Sequence, residues 1–504
     1  MIRVLAVSLA RHYAARPLAL GLPGARAPVR LLATGATQAP EFPREFTVLE
    51  DPRVHDKSLP SFMVGTQNGF LPRQDPLVEL PSRFGELEQL LNDMPVSKRN
   101  GQPGLLAQGK FGDAALKLPE YDVRDVIDNQ VLSALYRDYT FAASAYLLEP
   151  CDLRYRATRD YGIGRQILPR NIAVPLSIVA QKIQAKPFME YALSYCLFNY
   201  KRKDPKGDLS YSNLECIRSF EGSASESGFI LCHVAMVAHS GPLVKESMRT
   251  LEAAEHRDRV AFNTGLRNVL NTYRIINREM EEMWKRSAPD EYLRFRTFIM
   301  GTKSQPMFPH GVIYEGVSDE PTFFRGESGA NDSMVPLGDN LLELTLRMPE
   351  NPLTQVLRDF RSYRPTNHRE FLEHVQQRAS KAGVRRFAEE DPESTALYLA
   401  NVDQIRDFRH RHWQFTKKYI LEHTEHPRAT GGSPIVTWLP NQLSTVLRVM
   451  EEVSANINTS TLSPELKGLV EEIGKRAVAQ RRVLEREVSE LRKIFKDQDR
   501  ADLI

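Results

Sequence analysis

His412 lies in a run of residues that repeat at helical spacing. Ile405, Phe408, His412, Phe415 and Tyr419 follow at intervals of 3, 4, 3 and 4 through RDFRHRHWQFTKKYI. That pattern predicts one inward stripe of a helix. His410, two residues away, points to the far side among Arg and Lys. A neutral imidazole facing an apolar interior accepts a partner at one nitrogen and donates from the other, as an iron or zinc ligand does. A hydrogen-bonded core histidine gives the same pattern and is commoner. His233 sits in FILCHVAMVA, which is apolar on every side. By pattern alone it is also a core residue rather than a catalyst. Arg294 and Arg296 lie in YLRFRTFIMG. An arginine in such surroundings needs an anionic partner, either an internal carboxylate or a ligand's carboxylate or phosphate.

Two loops have ligand-binding chemistry. GESGANDS (326–333) is rich in small residues that let backbone approach a flat ligand. It lacks the Gly-Lys-Ser/Thr of a P-loop and the strand–helix setting of a dinucleotide fingerprint. EHPRATGGSP (425–434) offers the hydroxyls of Thr430 and Ser433 beside Gly431 and Gly432, which suits a closing loop or a plain surface connection. The four cysteines, Cys151, Cys196, Cys216 and Cys232, form no CxxC pair and no zinc spacing. They imply a reducing compartment without a disulfide framework.

The elements that must position these residues read as mainly helical. Helices are predicted over Pro81–Asn92, 121–150 and Pro187–Asn199. Another has Pro175 in its first turn and runs through Gln184. Ser227 is the predicted N-cap of the apolar helix carrying His233. One or two long helices are expected over Leu251–Trp284, then Asn340–Met348, Leu353–Tyr363 and a helix opening at His368. Arg385–Ser394 reads as exposed. Pro464–Phe495 reads as an amphipathic helix packed on a bundle. Strand signals are few: Gly311–Tyr314 and Ile435–Trp438. KRKDPKGDLS (201–210) is the candidate domain boundary.

The 504 residues are 41% hydrophobic and 26% charged, with a net charge of +3. This is an ordinary globular composition with little support for nucleic-acid binding. No run of 18 apolar residues exists, so no membrane span is expected. Residues 1–40 carry Arg3, Arg11, Arg16, Arg26 and Arg30 and no acidic residue. Ile2–Ala15 can form an amphipathic helix. That composition fits a mitochondrial presequence, and the alternative is a cytoplasmic protein with an Ala/Arg-biased tail. The expected layout is presequence 1–40, a smaller N-terminal domain 41–205 and a larger helical domain 206–504.

RHWQFTKKYI and HPRATGGSPIVTWLPNQL resemble the ligand helix and substrate-side loop of the indoleamine 2,3-dioxygenase family. GVIYEG (311–316), FFRGESGANDS (323–333), ILPRNIAVP (167–175) and GFIL (228–231) resemble further family blocks, in family order. The resemblance implies a mainly α, two-domain fold with haem b in the C-terminal domain. It places His412 as the iron ligand, with Arg409 and Asp339 paired behind it. Ser328, Gly329 and Ala330 match the small-residue loop over the haem. Arg296 matches the arginine for a substrate carboxylate, Phe229 an aromatic that packs on the indole, and Thr430 and Gly431 the loop that closes over substrate. His233 stands where some members have serine and could hydrogen-bond dioxygen or the indole N–H. Leu176 stands where an aromatic wall is usual, Glu291 replaces another aromatic, and Asn331-Asp332 replaces Gln-Ser.

The reaction implied is insertion of dioxygen across the indole C2–C3 bond, with L-tryptophan giving N-formyl-L-kynurenine on the route toward NAD. An electron donor would keep the iron ferrous, and a monomer is expected. Leu176 and Glu291 leave open another indole of specialised metabolism, and a haem protein without turnover is a further alternative.

Overall fold

The computed structural model describes residues 46–344, 359–424 and 428–495. The predicted presequence lies outside them, as do parts of the helices expected over 340–363. The principal helices are α1 (Asn129–Thr158), α2 (Arg170–Lys182), α3 (Ala224–Val237), α4 (Ser240–Glu255), α5 (Arg259–Glu281), α6 (Pro289–Arg296), α7 (Met334–Leu341), α8 (Thr366–Ala382), α9 (Pro392–Thr416), α10 (Ile435–Asn456) and α11 (Pro464–Ile494). The described strands are very short. β1 (Ile167–Leu168) pairs in parallel with β4 (Ile313–Tyr314), and β2 (Tyr200–Arg202) pairs antiparallel with β3 (Leu214–Cys216).

α1 is the N-terminal core element. Asp128 caps it by accepting from Gln130 N at 2.9 Å. Every side chain from Leu132 to Glu149 is buried. The helix begins later than the predicted 121 and runs through Pro150, which cannot donate to the Tyr146 carbonyl. The Arg165 guanidinium takes that acceptor instead. A second proline departs from expectation: α2 starts at Arg170, so Pro175 lies inside it rather than in its first turn.

Three other local predictions change. Pro187–Asn199 is not a helix; only Tyr191–Tyr195 makes a single wide turn, with Glu190 accepting from Leu193 N at 2.6 Å. Its residues are buried all round, so tertiary packing rather than helical spacing sets the path. The cap of α3 is Ser223, not Ser227: Ser223 accepts from Glu226 N, and Glu226 accepts from Phe220, Glu221 and Gly222. The buried Glu226 carboxylate thus reaches past the cap to the three N–H groups before it, rather than to Ser223 N as in a capping box. Ile435–Trp438 opens α10 rather than a strand. The long 251–284 reading divides at Arg257, with φ +57°, and Asp258, which caps α5. The predicted exposed segment at 385–394 includes Arg385, which is buried.

Gln38–Ile504 group into one compact unit. The expected boundary near residue 205 falls in the connection between β2 and β3 and does not separate the contacts. β1 joins β4 across it, and Ser144 of α1 donates to the Phe298 carbonyl. One apolar cluster runs through both halves. The helical stretch Ala224–Glu255 is long and apolar enough to cross a membrane by composition, but 67% of its apolar window is buried inside the protein. It serves as a core element.

α9 is the central support of the C-terminal half. Asp391 caps it, accepting from Ser394 N at 2.9 Å, and Pro392 occupies its first turn. It packs on α5, α10 and α11. After Thr416 it widens into a π turn, Lys417–Leu421. Such widening is frequent at functional sites.

Candidate functional site

α3, α9 and α10 enclose a cavity with the loops 327–329 and 429–433. The predicted stripe on α9 faces it: His412, Phe415 and Tyr419 all line the wall. From Gly228 to Val237, α3 is buried except at Phe229 and His233, one turn apart. Both retain accessible surface because both face this space. Met236, Met280, Met283 and Trp438 complete an apolar lining.

A second, smaller cavity shares His412, Gly329, Trp438 and Leu439 with the first. Its character is opposite. Arg361, Arg364 and Arg409 line it, against Asp332 and Asp339. His412 therefore stands at a seam between an apolar lobe and an arginine-rich one. Arg409 Nη2 donates to Asp339 Oδ2 at 2.6 Å. Its Nε and Nη1 are buried without a partner, and such donors call for an acceptor.

The two cavity histidines are electrostatically distinct from solvent histidines. Burial pushes the His412 pKa down to about 4, with His233 and Arg409 adding like-charge repulsion. Its ring makes no hydrogen bond among the described residues. His233 is also lowered by burial. Its Nδ1 lies 2.8 Å from the Phe229 carbonyl. A carbonyl only accepts, so Nδ1 carries the proton and Nε2 keeps its lone pair. A Cβ placed on Gly329 would lie 3.7 Å from that Nε2, with no other atom within 4 Å. The backbone at Gly329 thus leaves open space opposite His233.

Three loops are laced together at the rim. Gly301 N donates to the Thr430 carbonyl at 2.9 Å, Arg325 Nη1 to the Gly431 carbonyl at 2.8 Å, and Gln305 Nε2 to the Ala429 carbonyl at 2.9 Å. Thr430 Oγ1 donates to the Glu327 carbonyl. The threonine–glycine loop is held against the cavity here rather than standing apart from it. Asp332 Oδ2 accepts from Met334 N at 3.0 Å and starts α7, which carries Asp339.

The structure thus brings together His412, His233, Phe229, Ser328, Gly329 and Thr430, with Arg409 and Asp339 in the second lobe. The Ala330 backbone lies in the turn Gly329–Asn331. Arg296, Leu176 and Gly431 are not on the cavity wall. Arg296 is fully buried, donates Nη2 to the Arg428 carbonyl and leaves Nε and Nη1 unpartnered. Leu176 is buried on α2. Gly431 packs against the Phe360 ring, where a Cβ would come within 2.4 Å. Glu291 is engaged by Ser225 and Arg294 rather than Arg296. Glu327, Tyr292, Met280 and Met283 also line the site. Glu327 was legible only as a charge inside a glycine-rich loop.

Among the described residues no group of three His, Cys, Asp or Glu side chains suits a bare metal ion. One neutral imidazole beside a flat opening instead suits a metal that brings its own equatorial ligands.

A family model described as indoleamine 2,3-dioxygenase matches residues 58–468. The chain belongs to the indoleamine 2,3-dioxygenase family. It is a dioxygenase-type oxidoreductase, and the helical architecture agrees with that family. Indoleamine 2,3-dioxygenase 1 of Rattus norvegicus is 26% identical over 389 residues, 74% of this chain and 92% of the relative. Indoleamine 2,3-dioxygenase of Saccharomyces cerevisiae is 26% identical over 385 residues, 72% of this chain and 80% of the relative. A protein named myoglobin from Haliotis diversicolor is 25% identical over 396 residues, 76% of this chain and 96% of the relative. The family match spans every cavity element named above, from α3 to α10.

Proposed function

We propose that the paired cavities would hold haem b with His412 as the iron ligand, and that the protein inserts dioxygen across the C2–C3 bond of an indole. L-Tryptophan, giving N-formyl-L-kynurenine, is the leading substrate. The observation that carries this reading is the neutral, unbonded His412 imidazole at the seam of an apolar and an arginine-rich lobe. A haem has the same division between an apolar macrocycle and anionic propionates. The unpartnered donors of Arg409 fit the propionate side.

Haem supplies the activation of dioxygen, and an external electron donor keeps its iron ferrous. The chain's own residues do the rest. His233 Nε2, an acceptor by its tautomer, takes the indole N–H. Phe229 and Tyr292 offer aromatic faces 5.4 Å apart by centroid. The methionines keep the space dry, and the laced Thr430 loop limits water entry. Asp339 holds Arg409 and, through it, the setting of α9.

The test is direct. Reduced, haem-loaded protein with oxygen and L-tryptophan should yield a product heavier by two oxygen atoms. His412→Ala should lose the haem absorbance and the product together. Bound haem with no product from any indole would favour a second reading, a haem protein without turnover. The match to a relative named myoglobin supports that alternative. Products from other indoles but not tryptophan would favour specialised metabolism. We also propose that residues 1–40 direct mitochondrial import and that the chain acts as a monomer. A 1–45 reporter fusion that stayed cytosolic would remove the first, and a dimer mass in sedimentation the second.

A further inference from the structure

Among the described residues Glu327 is the one carboxylate on the wall of the apolar lobe. It is 2% exposed, and its Oε1 is buried with no hydrogen-bond partner. No described residue donates to either side-chain oxygen. Burial alone pushes its pKa up to about 8, with no cation offsetting the cost. Tyr191, Tyr195 and Tyr292 lie within electrostatic range, but none donates to it. Arg296 lies off the cavity and donates to the Arg428 carbonyl instead. A buried acceptor in this state is costly unless a ligand completes it.

Its neighbours narrow the ligand. Phe229, Tyr292 and Tyr419 line the same lobe. The Tyr292 ring lies 5.4 Å from Phe229 and 5.7 Å from Tyr419 by centroid. A carboxylate beside aromatic faces is the chemistry that recognises an ammonium, through charge-assisted hydrogen bonds and cation–π attraction. His233 Nε2, on the same wall, accepts an N–H at a separate point. Among the described residues the wall therefore has one neutral acceptor, one carboxyl group that a bound cation would hold ionised, and no cationic side chain.

We infer that Glu327 binds the ammonium of the substrate's side chain, so that the site selects indoles bearing a protonated amine and does not require a carboxylate. This rests on the reading of the cavity as an indole site. Tryptamine and L-tryptophan share the required group. Indole-3-propionate carries the opposite charge at the same distance from the ring. The carboxylate of tryptophan would then add little, since Arg296 does not reach the wall.

The test uses haem-loaded, full-length protein titrated calorimetrically with tryptamine, L-tryptophan and indole-3-propionate. Tryptamine should bind at least about tenfold more tightly than indole-3-propionate, the expected scale for losing a partner of a buried charge. Glu327→Gln should remove most of that preference and leave indole-3-propionate within about twofold. Equal affinity for tryptamine and indole-3-propionate in the unmodified protein would overturn the inference, whether or not the variant folds. So would an equal loss for all three ligands in Glu327→Gln. Oxygenation separates this from the reading it rests on. Indole-3-propionate oxygenated as readily as tryptamine would keep the dioxygenase and overturn amine selection. Glu327-dependent tryptamine binding without product from any indole would do the reverse.

Discussion

A single hydrogen bond decides what His233 can offer. With Nδ1–H committed to the Phe229 carbonyl at 2.8 Å, Nε2 can accept but not donate. The protein should therefore discriminate against 1-methyltryptophan, which has no indole N–H. The expected loss in kcat/KM is about 3–10-fold, the worth of one neutral hydrogen bond. His233→Leu should lower kcat/KM for tryptophan by a similar factor and erase the discrimination. Unchanged discrimination in the variant would mean that the imidazole faces something else. The positions of His412, Phe415 and Tyr419 were legible because helical spacing forces them onto one face. His233 was legible as a residue of a central helix, but not as one of its two accessible side chains. Glu327 was hidden because spacing says nothing about a loop residue whose burial is set by three segments distant in sequence. Arg296 shows the converse: an arginine among apolar residues reads as calling for an anion, internal or from a ligand, yet its partner here is a main-chain carbonyl.

At the scale of elements, the rim loops hold the site by close backbone approach. A Cβ on Gly326 would lie 2.2 Å from the Gly301 nitrogen, and one on Gly301 would lie 2.1 Å from the Gly326 nitrogen. Backbone cannot yield as a side-chain tip can. Gly326→Ala should push the 324–329 segment off the 301–303 segment and destabilise the protein by about 1–3 kcal/mol. A drop in Tm with raised KM would register this, and an unchanged KM would show that the rim is not part of the site. The wide turn at Tyr191–Tyr195 carries a pH signature. Burial raises the Glu190 pKa to about 8 from an ordinary 4.5. The folded state then binds more protons than the unfolded one between those values, so this group's contribution to stability falls as pH rises through that window. Glu190→Gln should raise Tm at pH 8.5 by about 1–3 °C and make no difference near pH 4.5. The same turn shows why 187–199 misread as a helix. Its apolar residues suited a helical face, but the segment is buried on all sides, and periodicity carries no information when every direction is interior.

Across the whole molecule, α11 extends past residue 468, where the family match ends. It reaches the back of the ligand helix. Glu487 accepts from Trp413 Nε1 at 2.9 Å and from Lys417 Nζ at 2.6 Å, and Arg476 donates to Asp403 at 2.7 Å. Glu487→Ala would leave the buried Trp413 N–H without an acceptor, at a cost of about 1–3 kcal/mol. Transfer of haem to an apomyoglobin acceptor should accelerate in this variant, while KM for substrate stays level. An unchanged transfer rate would confine α11 to general stability. The mainly helical architecture was legible because long amphipathic stretches such as 464–495 state their buried face openly. The hairpin connection near residue 205 was not, since a polar turn reads the same at the tip of a hairpin and in a linker.

Helix α11 is also the last described element to leave the ribosome. The side chain it steadies, Trp413, is next to His412 and lies 74 residues before Glu487. A nascent chain stalled before Glu487 would carry every residue of the cavity wall and still lack the brace behind it. Synthesis from N- to C-terminus therefore imposes an order: the cavity wall is made first, and the brace behind it is added only once α11 has emerged.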